Sequence, residues 1–162
     1  MDTVDRLDHD AFVERFGGVF EQSPWVAERA WAGRPFGTLD TLYDAMLDAV
    51  GRAPEEVRMA LIRAHPDLAA SVALTEESER EQAAAGLDSL TQEQFERITW
   101  LTAAYRARFG FPFIVCAREH TPDSIIAAAE TRTGNGPDEE ERTAMDEIAK
   151  IARLRLVDLV AP

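Results

Sequence analysis

Apolar residues recur three and four apart along almost the whole chain, and each run is bracketed by residues that start or stop helices. Residues 10–20 carry Phe12, Val13, Phe16 and Val19 at that spacing, loosened by Gly17-Gly18. Ser23-Pro24 reads as an N-cap followed by proline at the first helical position. The helix it starts holds Trp25 and Trp31 and stops near Gly33. Thr38 caps a helix with the stripe Leu39, Leu42, Tyr43, Met46, Leu47 and Val50. Pro54 opens another with Val57, Ala60, Leu61 and Ala64, which runs into His65-Pro66. Residues 75–85 form a polar helix stopped by Gly86. Thr91 and Gln94 make a capping box for a long helix to about Arg108. Thr121-Pro122 caps one more helix, Gly134-Asn135-Gly136-Pro137 is a turn, and residues 138–159 form a long final helix. Only Ile114-Val115-Cys116 looks extended. With no repeat and no linker, the expected class is all-α: one multi-helix domain over residues 1–162, its core about residues 10–160.

Charge and composition exclude several functions. The 162 residues carry a net charge of −13, which argues against nucleic acid or an anionic membrane as partner. An anionic small substrate stays admissible, because one arginine can dominate a pocket. Lys150 is the sole lysine and sits in a polar helical stretch, so Schiff-base chemistry is not expected. Cys116 is the sole cysteine and forms no internal disulfide, which suits a reducing cytoplasm. The first residues are acidic and lack a signal-peptide pattern, and no apolar run has the length of a membrane span.

Three places could carry chemistry. His65-Pro66-Asp67-Leu68 aims an imidazole reproducibly, since proline restricts the backbone beside it and histidine titrates near neutrality. A histidine that only answers carbonyls at the helix end remains the alternative. Ser78, Glu81 and Gln82 share one helical face and could read a ring rich in donors and acceptors; the same spacing is also that of a capping box. Arg155 falls within the inward stripe Met145, Ile148, Ala152 and Leu159, whereas Arg153 aligns with wetter positions. A buried guanidinium needs an anionic or acceptor partner, either a protein carboxylate such as Glu81 or a substrate. Phe109-Gly110-Phe111-Pro112-Phe113 reads as an apolar wall or a core plug, and Cys116 as a packed thiol. His9 and His120 look like surface residues. No histidine, cysteine or carboxylate grouping has metal-ligand spacing.

In this order, the segments resemble the OHCU decarboxylase family (2-oxo-4-hydroxy-4-carboxy-5-ureidoimidazoline decarboxylase) of urate breakdown. The matching pieces are His65-Pro66-Asp67-Leu68-Ala69, Ser78-x-x-Glu81-Gln82-x-x-Ala85-Gly86-Leu87, Tyr105-x-x-x-Phe109-Gly110-Phe111-Pro112-Phe113-Ile114 and Glu147-Ile148-x-x-Ile151-Ala152-x-Leu154-Arg155-Leu156. The resemblance implies an all-α fold, a homodimer, no cofactor and no metal, with decarboxylation giving (S)-allantoin. It puts the catalytic histidine at His65, with Glu81 beside it in the chemistry. It gives substrate contacts to Ser78, Gln82, Pro66, Phe113, Ile114 and Arg155. The chain departs from the family in a shorter stretch between His65 and Ser78, in Ala70 where glycine often stands, and in Thr102 where asparagine is expected. Two other readings are a helical interaction protein that keeps the fold without activity, and a decarboxylase of a related ureido acid.

Overall fold

The computed structural model describes residues 1–68 and 76–160. Among these the secondary structure is entirely helical: α1 (Asp2–Asp5), α2 (His9–Phe16), α3 (Trp25–Ala30), α4 (Leu39–Gly51), α5 (Glu55–Ala64), α6 (Glu76–Ala84), α7 (Gln92–Phe109), α8 (Pro122–Arg132) and α9 (Pro137–Val160). Single 3-10 turns follow α3 at Trp31–Gly33 and precede α8 at Ala117–Glu119. No described helix is long and apolar enough to cross a membrane. The chain gathers into two compact units, Met1–Ala64 with Ala149–Pro162, and His65–Ile148.

In the first unit, α2 begins one residue earlier than its apolar spacing suggested. Asp8 caps it by accepting from the Ala11 N–H at 2.9 Å. It ends at Phe16 rather than near Phe20. There Gly17 lies so close to the preceding turn that a Cβ would sit 2.6 Å from the Val13 carbonyl oxygen. Phe12 and Phe16 pack ring to ring at 4.8 Å, and Phe36 stacks on Phe12 at 5.8 Å. α3 packs on α2 and on α4. The α4 stripe buries Leu42, Met46, Ala49 and Val50. On α5 the inward face is Leu61 and Ile62, while Ala60 is exposed. Alanine gains little from burial, so the bulkier Ile62 turns the helix its own way. The end of α9 is tied down by its own neighbours. The Tyr43 hydroxyl donates to the Ala149 carbonyl at 3.0 Å, and Arg15 donates to the Leu159 carbonyl at 2.7 Å.

In the second unit, Thr91 and Gln94 form the expected capping box. Gly110 ends α7 at φ 78°, a left-handed conformation in which a side chain is strained. Thr121 and Ser124 form a second capping box on α8. α7 packs on α8, and Gln94 also donates to Asp123 at 2.8 Å. α6 packs on the 3-10 turn at Ala117–Glu119. The expected strand-like character of Ile114-Val115-Cys116 is present only as extended backbone, with no strand among the described residues.

α9 presents Glu140, Ala144, Glu147, Ile148, Ile151, Ala152, Arg155 and Leu156 as its buried residues. This corrects the expected stripe at both ends: Met145 is half-buried and Leu159 is exposed. The polar Glu147 replaces Met145 inside because a buried backbone group needs it, as described below.

Two replacements check this packing by urea unfolding. Phe12→Ala removes a fully buried ring and lowers the unfolding free energy by about 3–5 kcal/mol. Thr91→Ala deletes a cap and costs about 1 kcal/mol. A loss well below 1 kcal/mol for Phe12→Ala would contradict the aromatic core.

Candidate active site

His65 is the first residue past α5, in a bend, and only 6 % exposed. The helix ends at Ala64 because Pro66 disfavours helical geometry one residue earlier. Asp67 then turns toward α7. Its carboxylate accepts from Arg106 Nη2 at 2.9 Å and from Nε at 3.3 Å. Both side chains are partly exposed, so the pair adds well under 1 kcal/mol of stability. Its effect is geometric: it fixes the turn that carries the imidazole.

Ser78, Glu81 and Gln82 lie in the body of α6, so Ser78 is not the cap of a capping box. Ser78 is 4 % exposed and Gln82 9 %, with Glu81 half-buried and Glu79, Arg80, Ala83 and Ala84 outside. The shared face expected from the spacing is therefore the inward face of the helix. Burying a hydroxyl and an amide there costs free energy unless each is hydrogen-bonded. The stretch 69–75, which holds the shortened connection and Ala70, lies outside the described residues. Thr102 is buried on α7, and its hydroxyl donates to the Ile98 carbonyl of its own helix at 2.9 Å.

Phe113 and Ile114 are buried in an extended segment that also contains Phe111, Val115 and Cys116. Phe111 and Phe113 each meet Tyr105 edge-on, so the aromatic run is a core plug. Cys116 is a buried thiol, as expected. His9 is exposed, and His120 joins the α8 cap through Ser124 at 3.1 Å.

Arg155 belongs to the first unit and is 5 % exposed. Its Nη1 pairs with a protein carboxylate that the sequence did not single out, Glu21, reaching Oε2 at 3.1 Å, and donates to the Gly18 carbonyl at 3.2 Å. Glu21 sits in the loop after α2, where no periodicity marks it as buried. Removing one member of such a buried pair costs about 3–5 kcal/mol, because the other charge is stranded.

Sequence reasoning missed a second buried charge cluster, in the unit that holds His65. Arg132 Nε and Nη2 donate to Glu140 Oε2 at 3.1 and 2.9 Å. Asn135 donates to the other carboxylate oxygen at 2.8 Å, and the Tyr105 hydroxyl donates to Glu140 at short range. Nη1 of Arg132 donates to the Ile114 carbonyl at 2.7 Å, and its guanidinium lies 4.5 Å over the Phe113 ring. A signal did exist. Arg132 continues the buried steps Ile125 and Ala129, and Glu140 begins the steps Ala144 and Ile148.

Burial pushes the Tyr105 hydroxyl well above its ordinary value near 10, and the hydrogen bond to Glu140 adds to it, against a smaller opposing effect of Arg132. The folded chain thus holds a proton that the unfolded chain releases. Stability conferred by this group is complete below pH 10 and falls as pH rises beyond it. Tyr105→Phe should flatten that alkaline decline in denaturation measured from pH 8 to 11. An identical decline in both proteins would show that Tyr105 is not its source.

Comparison with known proteins places the chain in a lineage. The family profile described as OHCU decarboxylase matches residues 5–157. A Haloferax volcanii protein named 2-oxo-4-hydroxy-4-carboxy-5-ureidoimidazoline decarboxylase is 48 % identical over 98 % of this chain and 94 % of its own length. The crystal structure of an (S)-allantoin synthase superposes with a TM-score of 0.82 at 28 % identity, over 98 % of this chain. This chain spans about half, 53 %, of that crystallised chain. An OHCU decarboxylase crystallised in the presence of (S)-allantoin shares the fold at a TM-score of 0.72 and 22 % identity, over 85 % of this chain and 92 % of that one. A profile match across nearly the whole chain, with a relative close to half identical along its full length, leaves one assignment: the chain belongs to the OHCU decarboxylase family.

Proposed function

We propose that this chain decarboxylates 2-oxo-4-hydroxy-4-carboxy-5-ureidoimidazoline to (S)-allantoin, with residues 1–162 as one catalytic domain. The observation that carries the reading is a buried histidine at a proline-set helix end, in the same compact unit as a helix that turns a hydroxyl and an amide inward, within a chain of this family. Full-length relatives bear the decarboxylase name, including one in Halalkalicoccus jeotgali that is 40 % identical over all of this chain and 92 % of its own length. Urate degradation is the context named for a bifunctional Bacillus subtilis protein that is 37 % identical over 99 % of this chain.

The substrate supplies its own electron sink. The bond to the carboxylate breaks, and its electron pair forms a C=C bond with the adjacent carbon of the ring C=N. The ring nitrogen takes a proton. The hydroxyl on the carbon that lost CO2 then gives up its proton, and the neighbouring carbon gains one, creating the stereocentre. No step requires a redox partner or an external electrophile. The protein has to position, place charge and deliver a proton to one face.

His65 is assigned to polarise or deprotonate the hydroxyl on the carboxylate-bearing carbon, since imidazole accepts and returns a proton near neutrality. Glu81 and Gln82 hold the ureido and ring N–H groups, and Ser78 adds a hydroxyl on the same face. Pro66 and the backbone of Phe113 and Ile114 line the pocket. Arg155 orients substrate oxygens, with Glu21 holding its guanidinium in place. The family resemblance supports a homodimer, and the lone buried cysteine suits the cytoplasm.

The test is circular dichroism during urate breakdown, with urate oxidase and hydroxyisourate hydrolase supplying the substrate. This chain should give a fast single-enantiomer allantoin signal. His65→Ala should slow it by at least about 100-fold with the helical spectrum intact. A parent rate in His65→Ala would remove His65 from the mechanism. Slow racemic allantoin with the parent chain present would favour a fold kept without activity.

A further inference from the structure

Residues 111–116 are buried throughout, yet they are neither helical nor paired in a strand. Buried backbone in that state must find hydrogen-bond partners other than a ladder. Two come from side chains on neighbouring helices of the same unit. Arg132 of α8 donates to the Ile114 carbonyl at 2.7 Å, and Glu147 of α9 accepts from the Cys116 N–H at 2.7 Å. The Arg132 guanidinium also covers the Phe113 ring. Its remaining fork is locked on Glu140, so the direction in which it grips Ile114 is set.

We infer that Arg132 and Glu147 are positioning residues, a two-point clamp that holds Phe113 and Ile114 in register for substrate. The inference rests on the assignment of those two residues to the pocket wall. Well-packed apolar side chains hold helices together as well as a buried ion pair does. They supply no directional grip on a carbonyl and an N–H two residues apart. Neither clamp residue touches substrate; each acts through the backbone between them.

The experiment is steady-state kinetics on the decarboxylation, with calorimetric binding of (S)-allantoin, at a temperature well below the melting transition of every variant. Arg132→Lys keeps a cation for Glu140 but lacks the planar fork that spans Glu140 and Ile114 together. It should raise KM and weaken allantoin binding about tenfold, with a smaller change in kcat. Glu147→Met, which removes the acceptor for Cys116, should do the same. Glu147→Gln, whose amide oxygen accepts the same N–H, should restore the parent KM. Phe12→Ala, a core change in the other compact unit, should keep the parent KM despite a substantial loss of stability. Parent KM and product affinity in folded Arg132→Lys and Glu147→Met would overturn the clamp, as would a Glu147→Gln no better than Glu147→Met. If Arg132→Lys does not fold, the Glu147 pair decides. A parent chain that neither turns over the substrate nor binds allantoin would instead sink the activity assignment, and this inference with it.

Discussion

Burying a guanidinium is tolerable only when its charge is neutralised and its donors are occupied, and the second unit is organised around meeting that demand for Arg132. Glu140 supplies the charge and two of the bonds, the Ile114 carbonyl takes another, and the Phe113 ring covers the open face. Glu140 is itself fully buried and shared with Tyr105 and Asn135. One ion pair thereby joins α7, α8, the turn before α9, the first turns of α9 and the extended segment after α7. α8 and the first turns of α9 could not part without stranding a charge, which is the costly outcome for a buried network, and the neutral partners would each lose a buried hydrogen bond. The extended segment keeps its place without a sheet because of this cluster.

The first unit uses the same device at a smaller scale. Arg155 and Glu21 are each at most 5 % exposed and meet at 3.1 Å, with a loop carbonyl as a further acceptor. A loop that leaves α2 after two glycines is thus tied to the last turns of α9. The charge and direction of this arginine are thereby set by the fold itself.

Much of this was legible in the residues. The caps Thr38, Thr91 and Thr121 are local chemistry, settled within a few residues of chain, and they stand where expected. The inward face of α6 was legible because Ser78 and Gln82 are one helical turn apart, and Arg155 because it interrupts an apolar stripe. The errors share a cause. Ala60 and Leu159 were counted inward on hydrophobicity, while Glu147 and Glu140, both buried, were not counted inward at all. Helix rotation, however, is decided by the most demanding residues on all faces at once: the bulkiest apolar group, and the polar group that a buried backbone or charge requires. Glu21 was illegible for a different reason, since its partner is 134 residues away in the sequence.

By itself, the order of residues determined the helical class, most helix boundaries, the end of α5 just before His65-Pro66 and the family to which the chain belongs. These depend on short-range sterics, capping and motif order, all written within a few turns of one another. Tertiary structure alone decided which charges go inside and with whom: Arg132 with Glu140, Arg155 with Glu21, Glu147 with a backbone N–H. A charge is admitted to the interior only by a partner brought from elsewhere in the chain, and that meeting exists only once the chain has folded.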